Sequence, residues 1–357
     1  MRALSEAGRT SGKNHYGIHM YNSGISILGG DEVNAALSGR ESEIIDTVET
    51  AYKVHAAGAS SLPHSLFLRF PNVEKNRIIA LPAYLGQDFD LAGLKWVSSF
   101  PDNLEKGLNR ASAVIILNSS ETGRPEVIME GSIVSAKRTA ASAVLAMRVL
   151  QDDRETESVG IMGCGPISFE VVRFLLAPPA TVKRLVLFDV VRGRAEQFRD
   201  RCQELNGRLR VETVTEGKSL FQETQAVLIA TTAIKPHIFD LSTCPPGALI
   251  LHVSLRDLSP EVILASDNVV DDVDHVCRSQ TSVHLAEQKV GNRDFIRCNL
   301  ADVLNRVASP KQDPSLITVF SPFGLGVLDL AVGKLAHRIA LEQGYGAVIE
   351  RFLPGDF

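Results

Sequence analysis

Residues 158–168 read SVGIMGCGPIS, a short apolar run followed by a glycine-rich turn. The pattern predicts a strand over 158–162, a tight turn over 163–166 and a helix over 167–177. A G-x-G-x-x-G/A motif placed between a strand and a helix is typical of a dinucleotide-binding unit. This stretch therefore predicts both the fold class and a bound nucleotide.

The positions of the turn have chemical reasons for their residue types. Gly163 permits the tight turn, and Gly165 lets the backbone approach a pyrophosphate at the helix N-terminus. Ser168 replaces the third glycine and is small enough for helix and strand to pack closely. The residues of the turn that we predict to contact the cofactor are Gly163, Cys164, Gly165, Pro166 and Ile167.

A second apolar run, residues 184–188, ends directly before Asp189. An acid at the end of the second strand of such a unit accepts a hydrogen bond from the ribose 2′-OH and repels a 2′-phosphate. The sequence therefore predicts NAD rather than NADP, although Arg192 and Arg194 follow closely and weaken that preference. The alternative is a chance glycine turn in an α/β protein, but the order of strand, turn, helix, strand and acid favours nucleotide binding.

Strands and helices alternate from about residue 137 to 308. Continuous apolar runs such as 226–232 and 248–253 are typical of a parallel sheet covered on both faces. Before this region, an amphipathic helix over 41–57 is followed by several short strands between residues 78 and 129. The predicted fold class is α/β, with a Rossmann-type doubly wound parallel sheet plus an α+β domain.

The composition is that of a globular protein. A chain of 357 residues, 45% hydrophobic and 22% charged, is too apolar for a disordered protein and long enough for two domains. The net charge of −5 argues against nucleic-acid binding, and no apolar run reaches the ~18 residues of a membrane span. The first twenty residues lack the apolar stretch of a secretory signal. The spacing of the five cysteines and nine histidines supports neither disulfides nor a metal site, so we expect a cytoplasmic protein without a metal.

Three residues outside the turn are candidates for chemistry. Lys95 lies inside an apolar strand, where an unpaired ammonium is costly, but strand alternation equally allows it to face water. Arg138 opens a helix rich in small residues, where it either binds an anion or is a solvated surface arginine. Asp257 follows a buried-type strand at the sheet edge where ligands bind, although an ordinary loop aspartate has the same pattern.

Two further groups carry weaker signals. His64 and Arg69 are possible binders of a carboxylate, for which the arginine fork is well suited. Asp271, Asp272, Asp274 and His275 resemble metal ligands, but an acidic strand end followed by a turn explains them better.

Several motifs together resemble the ornithine cyclodeaminase/mu-crystallin family, from about residue 25 to 345. The resemblance implies a homodimer with a Rossmann domain and a substrate domain. It divides the chain into residues 1–136 with 318–357, for substrate binding and dimerisation, and residues 137–317, for NAD binding. The motifs are RIIALP (77–82), GLKWV (93–97), RASAVIILN (110–118), ETGRP (121–125), MEGSIVSAKRTAA (129–141), GIMGCG (160–165) and TVFSPFGLGVLDL (318–330).

The resemblance also implies roles for single residues. Lys95 matches the family's catalytic lysine, Asp257 its active-site aspartate, and Arg138 the arginine that binds the substrate carboxylate. The C-terminal pattern of the family matches Phe320, Gly324 and Asp329. The further positions that we predict to contact the cofactor are Ser112, Arg138, Thr139, Asp189, Arg192, Thr231, Ser254 and Gly324.

Within the family, RIIALPAYLG, LKWVSSFPDN and RASAVIILN are similar to a branch that oxidises a glutamyl Cα–N bond with NAD. That branch hydrolyses the resulting imine to 2-oxoglutarate and L-2,3-diaminopropionate, a precursor of siderophores and peptide antibiotics. Its substrate is an amino-acid conjugate with three carboxylates, for which Arg69, Arg138 and His64 are the predicted binders.

Two departures from cyclodeaminases are expected. Ala80 stands where cyclodeaminases have a glutamate, and His64 stands where they have an arginine. The first argues against cyclisation of ornithine or lysine. The second makes Arg69 the better candidate for an additional carboxylate contact. Cyclodeamination, alanine dehydrogenation, reduction of a cyclic ketimine and non-catalytic binding remain the alternatives.

Overall fold

The computed structural model describes residues 24–151 and 156–354. Residues 1–23 lie outside the described residues. The prediction that the first twenty residues lack a secretory signal therefore stays a prediction. In the described part, the strands form two sheets of eight strands each. Across the first sheet the order is β16-β1-β7-β6-β5-β4-β2, and β3 pairs with β4. The strands of this first sheet are β1 (Ile25–Leu28), β2 (Ser60–Ser61), β3 (Leu66–Phe70), β4 (Val73–Leu85), β5 (Leu91–Ser99), β6 (Ala111–Ser119), β7 (Pro125–Glu130) and β16 (Ala347–Ile349).

The second sheet is parallel throughout, with the order β10-β9-β8-β11-β12-β15-β13-β14. Its first five strands in space follow the doubly wound order 3-2-1-4-5, whose strand order reverses beside β8, where such folds bind ligands. The predicted fold class is therefore confirmed. The strands of this second sheet are β8 (Ser158–Met162), β9 (Arg184–Phe188), β10 (Arg210–Thr213), β11 (Ala226–Ile229), β12 (Leu249–His252), β13 (Asp267–Val270), β14 (Ile296–Asn299) and β15 (Thr318–Ser321).

Helices cover both sheets, and α3 contacts strands of both, β6 of the first and β12 of the second. The C-terminal helix α11 packs against α2 and across β4, β5 and β6, while α3 packs against α2, α4 and β12. These contacts belong to one apolar core that extends through both sheets. The helices are α1 (Gly30–Leu37), α2 (Glu41–Ala56), α3 (Ser132–Leu150), α4 (Pro166–Leu175), α5 (Arg192–Leu205), α6 (Lys218–Glu223), α7 (Pro260–Leu264), α8 (Val273–Val276), α9 (Ser282–Val290), α10 (Leu300–Leu304) and α11 (Gly326–Gln343), with a 3₁₀ helix at Pro101–Lys106.

The two faces of the first sheet have different chemistry, because alternate residues of a strand point to opposite faces. Lys95 pairs with Leu81 and Ile115, and all three are buried on the face that α11 covers. The next row lies on the opposite face. It runs in register through Leu66, Ala80, Trp96 and Val114, of which the three large side chains are exposed. We call this row the outer apolar row.

The two predicted domain boundaries, at 136/137 and 317/318, can be compared with the elements of the fold, although the division itself stays a prediction. Helix α3 contains the first predicted boundary, at 136/137. Strand β15 begins at Thr318, on the C-terminal side of the second boundary, but pairs with β12 and β13 of the second sheet. We therefore propose to move that boundary beyond Ser321.

No helix within residues 24–151 and 156–354 combines the length and apolar character needed to cross a membrane. The strands and helices found beyond the predicted ones are mostly short, such as α1, α7, α8 and α10. Their few residues carry too little periodicity for a sequence-based prediction.

Candidate active site

Three charged side chains from distant parts of the chain meet on the inner face of the first sheet. Asp329, in the first turn of α11, accepts a hydrogen bond from Lys95 Nζ at 2.7 Å and from Arg138 Nε at 3.0 Å. Lys95 Nζ also donates to Ser135 Oγ at 3.1 Å. We call Lys95, Arg138 and Asp329 the charged cluster. One carboxylate thereby fixes two cations side by side.

Burial sets the electrostatics of the charged cluster. Lys95 is 2% exposed and Arg138 is 8% exposed, so neither is the solvated surface residue that the sequence also allowed. Burial, together with the charge of Arg138, lowers the pKa of Lys95 to about 8, and Asp329 opposes this shift. The ammonium therefore loses its proton more readily than an ordinary lysine.

A glycine turn completes the cluster from the second sheet. Gly324 has a φ of +93°, and a Cβ there would lie 2.7 Å from Arg138 Nη1. Asp271 holds the turn by accepting hydrogen bonds from the backbone N–H groups of Phe323 and Gly324 at 2.8 and 2.7 Å. Gly324 is thus needed both for its backbone conformation and for the guanidinium that lies against it.

Asp257 lies in a second polar site beyond the carboxyl end of β12. Its carboxylate is fully buried and accepts hydrogen bonds from Thr231 Oγ1 and, at 2.6 Å, from Ser254 Oγ. His237 Nε2 lies 3.0 Å from Oδ1, and His252 Nε2 lies 3.3 Å from Oδ2. Although burial alone would raise the pKa of Asp257, the His252, Ser254 and Thr231 contacts outweigh it and hold the pKa below its ordinary value.

Asp257 and the charged cluster are connected indirectly, through His252 and the end of β15. His252 Nδ1 lies 3.2 Å from Ser321 Oγ, at the end of β15. The chain then passes from Ser321 through the turn at Gly324 that lies against Arg138. Among the described residues, no hydrogen bond is found between Asp257 and Lys95 or Arg138. Asp257 and the cluster are therefore two polar groups connected through the end of β15.

The glycine-rich turn has the geometry that a dinucleotide needs. Gly163 has a φ of +93°, and a Cβ there would lie 2.5 Å from the carbonyl oxygen of Ala230. A Cβ at Gly165 would meet nothing within 4 Å, so the backbone is open where a pyrophosphate would approach. Helix α4 begins next, with Pro166 in its first turn. Asp189 follows β9 and accepts from the Cys164 N–H at 2.9 Å. These residues fit NAD.

The sequence comparison decides which family these features belong to. The model of the ornithine cyclodeaminase/mu-crystallin family matches residues 31–344 of the chain. The chain belongs to this family. The family predicted from the motifs is therefore confirmed.

Known members of the ornithine cyclodeaminase/mu-crystallin family differ in their reactions. The chain is 26% identical to N-((2S)-2-amino-2-carboxyethyl)-L-glutamate dehydrogenase of Staphylococcus aureus, over 88% of this chain and 95% of that protein. Delta(1)-pyrroline-2-carboxylate reductase of Thermococcus litoralis, solved with NADH and L-proline, superposes with a TM-score of 0.83 at 25% identity, covering 90% and 99% of the two chains. An archaeal alanine dehydrogenase dimer with bound NAD gives 0.81 at 25% identity, covering 92% and 100%.

Five residues predicted for the family's cofactor site have other contacts in the described chain. Ser112 lies on the exposed face of the first sheet, where its Oγ is 2.8 Å from that of Ser98. Thr139 Oγ1 donates to the Ser135 carbonyl within α3, and the exposed Arg192 pairs with Glu196. Ser254, like Thr231 described above, binds Asp257. Their roles at a cofactor remain predictions.

His64 and Arg69 lie outside the charged cluster. His64 is exposed, with its ring 5.4 Å from that of His275, and Arg69 lies on the inner face of the first sheet near its edge. Asp272, one of the residues that resembled metal ligands, caps α8 and contacts His275 and His55. These contacts give Asp272 a structural role.

The structure places Ala80 away from the charged cluster, and the expected departure from cyclodeaminases at this position stays a prediction. Ala80 belongs to the outer apolar row, on the face of β4 opposite to Lys95. An acid at position 80 would therefore not face the charged cluster. The neighbouring residue on the inner face is Ile79, and its apolar side chain supplies no acid there either.

Sequence reasoning did not select three residues of this site. Asp329 was noted only as part of a C-terminal pattern, yet it binds both cations. His237 and His252 were not selected, although both contact Asp257. The available signal was the polar residue that ends an otherwise apolar strand, His252 after LIL in β12.

Proposed function

We propose that the chain is a dehydrogenase that oxidises the glutamyl Cα–N bond of N-(2-amino-2-carboxyethyl)-L-glutamate. The products are 2-oxoglutarate and L-2,3-diaminopropionate. That the chain is an oxidoreductase acting on an amine or imine, with NAD as its cofactor, is confirmed by its relatives. The observation that carries the proposal is the buried pair of cations on one carboxylate, since a glutamyl substrate presents its α-carboxylate beside the reacting carbon.

The charged cluster binds and orients the substrate in this proposal. Lys95 and Arg138 hold the α-carboxylate, and Asp329 keeps the two cations in place before the substrate arrives. The glycine-rich turn and Asp189 would hold NAD, which would supply the acceptor for the hydride of the α-carbon, and the oxidised substrate would be an imine. Water then adds to the imine carbon, and the C–N bond breaks to release a keto acid and an amine.

Asp257 accepts the proton that this hydrolysis or the preceding oxidation releases. The contacts with His252, Ser254 and Thr231 keep it ionised, which is the form that can accept a proton. His237, whose side chain is 46% exposed, gives the buried carboxylate one contact that reaches solvent. The reaction balances as conjugate, NAD⁺ and water going to 2-oxoglutarate, diaminopropionate, NADH and a proton.

The outer apolar row supports a second part of the proposal, a homodimer. Leu66, Trp96 and Val114 are 64%, 39% and 40% exposed and form a continuous apolar surface. Such a surface commonly marks an interface. The archaeal alanine dehydrogenase relative is a dimer. All five cysteines are free, which supports a reducing, cytoplasmic location. The similarity to the Staphylococcus aureus dehydrogenase supports a role in making diaminopropionate for a siderophore or an antibiotic.

The test is absorbance of NADH with purified protein, NAD and the aminocarboxyethyl-glutamate. L-ornithine, L-lysine and L-alanine are assayed in parallel. We expect NADH and 2-oxoglutarate in equal amounts from the conjugate alone. Pyruvate from alanine would instead identify an alanine dehydrogenase. Proline from ornithine without net NADH would identify a cyclodeaminase, and either result would overturn the proposed substrate.

A further inference from the structure

A cavity of about 490 Å³ lies beside the second polar site and is lined by Arg69, Lys235, Arg256, Ser279 and Gln280. Arg256 precedes Asp257 in the chain, and Lys235 is two residues from His237. Arg256 is fixed by hydrogen bonds from its Nε and Nη2 to the carbonyl oxygens of Gln280 and Ser279. Three cations thus surround a space that adjoins the proposed base. We call this space the basic cavity.

Two more arginines belong to the same positive region. Arg77 lies opposite Arg69 in the register of β3 and β4, and Arg110 donates to Ser99, the residue paired with Arg77 on β5. Burial lowers the pKa of Arg77, and the charges of Arg256, Arg110 and Arg69 lower it further. All of these side chains therefore act on one another electrostatically.

The positive region has no negative partner in the described chain. Among the side chains that the structure describes, no carboxylate pairs with Arg69, Arg77, Arg110, Lys235 or Arg256. The Nε of Arg77 is buried and has no hydrogen-bond partner there. Like charges repel, and a buried donor without an acceptor is costly. An anion from outside the chain would relieve both penalties.

The positive region lies on the same face of the first sheet as Lys95 of the charged cluster. Arg69, Arg77 and Ser99 share the inner face of the first sheet with Lys95. Ser99 is four residues from Lys95 along β5, which corresponds to about 13 Å at the rise of a strand. The inner face thus carries Arg69 and Arg77 in register with Ser99, and Lys95 of the charged cluster four residues further along β5. A small molecule with carboxylates at both ends can reach both.

We propose that the basic cavity binds the distal carboxylates of the substrate and so selects polycarboxylate amino acids over alanine or proline. This inference rests on the proposed function for the identity of the substrate. Arg69 and Lys235 bind the carboxylates from opposite walls of the cavity. Arg256, already fixed by two carbonyl oxygens, supplies a charge that is held in place.

The test uses the variants Arg69→Gln and Lys235→Gln in the full chain. Arg208→Gln is the matched control, because Arg208 is exposed in the loop before β10 and its guanidinium forms no hydrogen bond or ion pair with the residues that the structure describes. For each variant we expect KM for the conjugate to rise about tenfold, as for the loss of one charge-assisted contact, with a smaller change in kcat and the same KM for NAD. Arg208→Gln should leave all three unchanged.

A binding measurement separates this inference from the proposed function. Calorimetry of the NAD complex with tricarballylate, acetate or inorganic phosphate should show that tricarballylate binds most tightly and that Arg69→Gln and Lys235→Gln weaken it. If that result holds while the conjugate yields no NADH, the cavity assignment stands and the proposed substrate does not. If the conjugate is oxidised with an unchanged KM in both variants, the cavity assignment is wrong. Tighter binding of phosphate than of tricarballylate would also overturn it.

Discussion

Asp329 accepts a hydrogen bond from Lys95 at 2.7 Å although 234 residues separate them in the sequence. Lys95 comes from the centre of β5, and Asp329 comes from the first turn of α11. A carboxylate in a first helical turn is stabilised by the helix dipole. Asp329 is therefore placed where its carboxylate can balance both Lys95 and Arg138.

The pH dependence of the reaction should report Lys95. Because its pKa is lowered to about 8, Lys95 is protonated below that pH and neutral above it. If the ammonium binds the substrate carboxylate, kcat/KM for the conjugate should fall as the pH rises past about 8, since kcat/KM reports the free enzyme. Asp329→Asn removes the charge that raises this pKa, so the fall should move to lower pH. A profile of Asp329→Asn identical to that of the wild type would contradict this role. The pH profile of the Lys95→Arg variant shows how much of the fall in kcat/KM comes from ionisation of the substrate itself.

Replacement of Asp257 should separate chemistry from cofactor binding. Asp257→Asn keeps the shape of the side chain but removes the proton acceptor, so we expect kcat to fall by about 10²-fold or more. The dissociation constant for NAD, measured by calorimetry, should change little. Asp240→Asn, in an exposed loop of the same sheet, is the matched control. Retained turnover in Asp257→Asn would exclude Asp257 as the base.

The preference for NAD should depend on Asp189. Its carboxylate lies at the end of β9, next to the glycine-rich turn, with Arg194 Nη1 at 3.5 Å. Asp189→Ser removes the repulsion of a 2′-phosphate and leaves that arginine without its acid. We expect the ratio of kcat/KM with NAD to that with NADP to fall about tenfold. Asp200→Ser, on the exposed side of α5, should leave the ratio unchanged. An unchanged ratio in Asp189→Ser would show that another residue selects the cofactor.

The outer apolar row should control association. Val114→Glu places a charge at the β6 end of that row, and a charge buried in an interface is costly. Light scattering after size-exclusion chromatography should show dimers for the wild type and monomers for Val114→Glu. Val307→Glu, at an exposed apolar residue in the loop after α10, should remain dimeric. A dimer of Val114→Glu with unchanged affinity would place the interface elsewhere.

The parts of the fold that could be predicted are those with strong local signals. The glycine-rich turn, β8, β9 and Asp189 follow one another closely, so their chemistry is readable from spacing alone. Lys95 and Arg138 were candidates because charged residues are unusual in an apolar strand and at a helix N-terminus. Their burial depends on Asp329 and Gly324, which come from the other end of the chain, and no local pattern reports such a contact.

The two faces of a strand explain why the position of Ala80 could not be predicted. The sequence shows that residues alternate but not which set faces inward, because β4 has apolar residues on both faces. Only the pairing of Ala80 with Trp96, and of Leu81 with Lys95, determines the direction. The basic cavity was missed for a related reason, since Arg69, Lys235 and Arg256 come from segments far apart in the chain.

The pleat of β4 and β5 has a consequence for how this protein can change. Odd-numbered residues of these strands carry Lys95 and Arg77, and even-numbered residues carry Ala80 and Trp96. A substitution at either set alters one surface and leaves the other intact. A one-residue insertion or deletion within β4 would exchange the two sets and disable both surfaces at once. Divergence in these strands is therefore expected to proceed by replacement, with length changes confined to the loops that connect them.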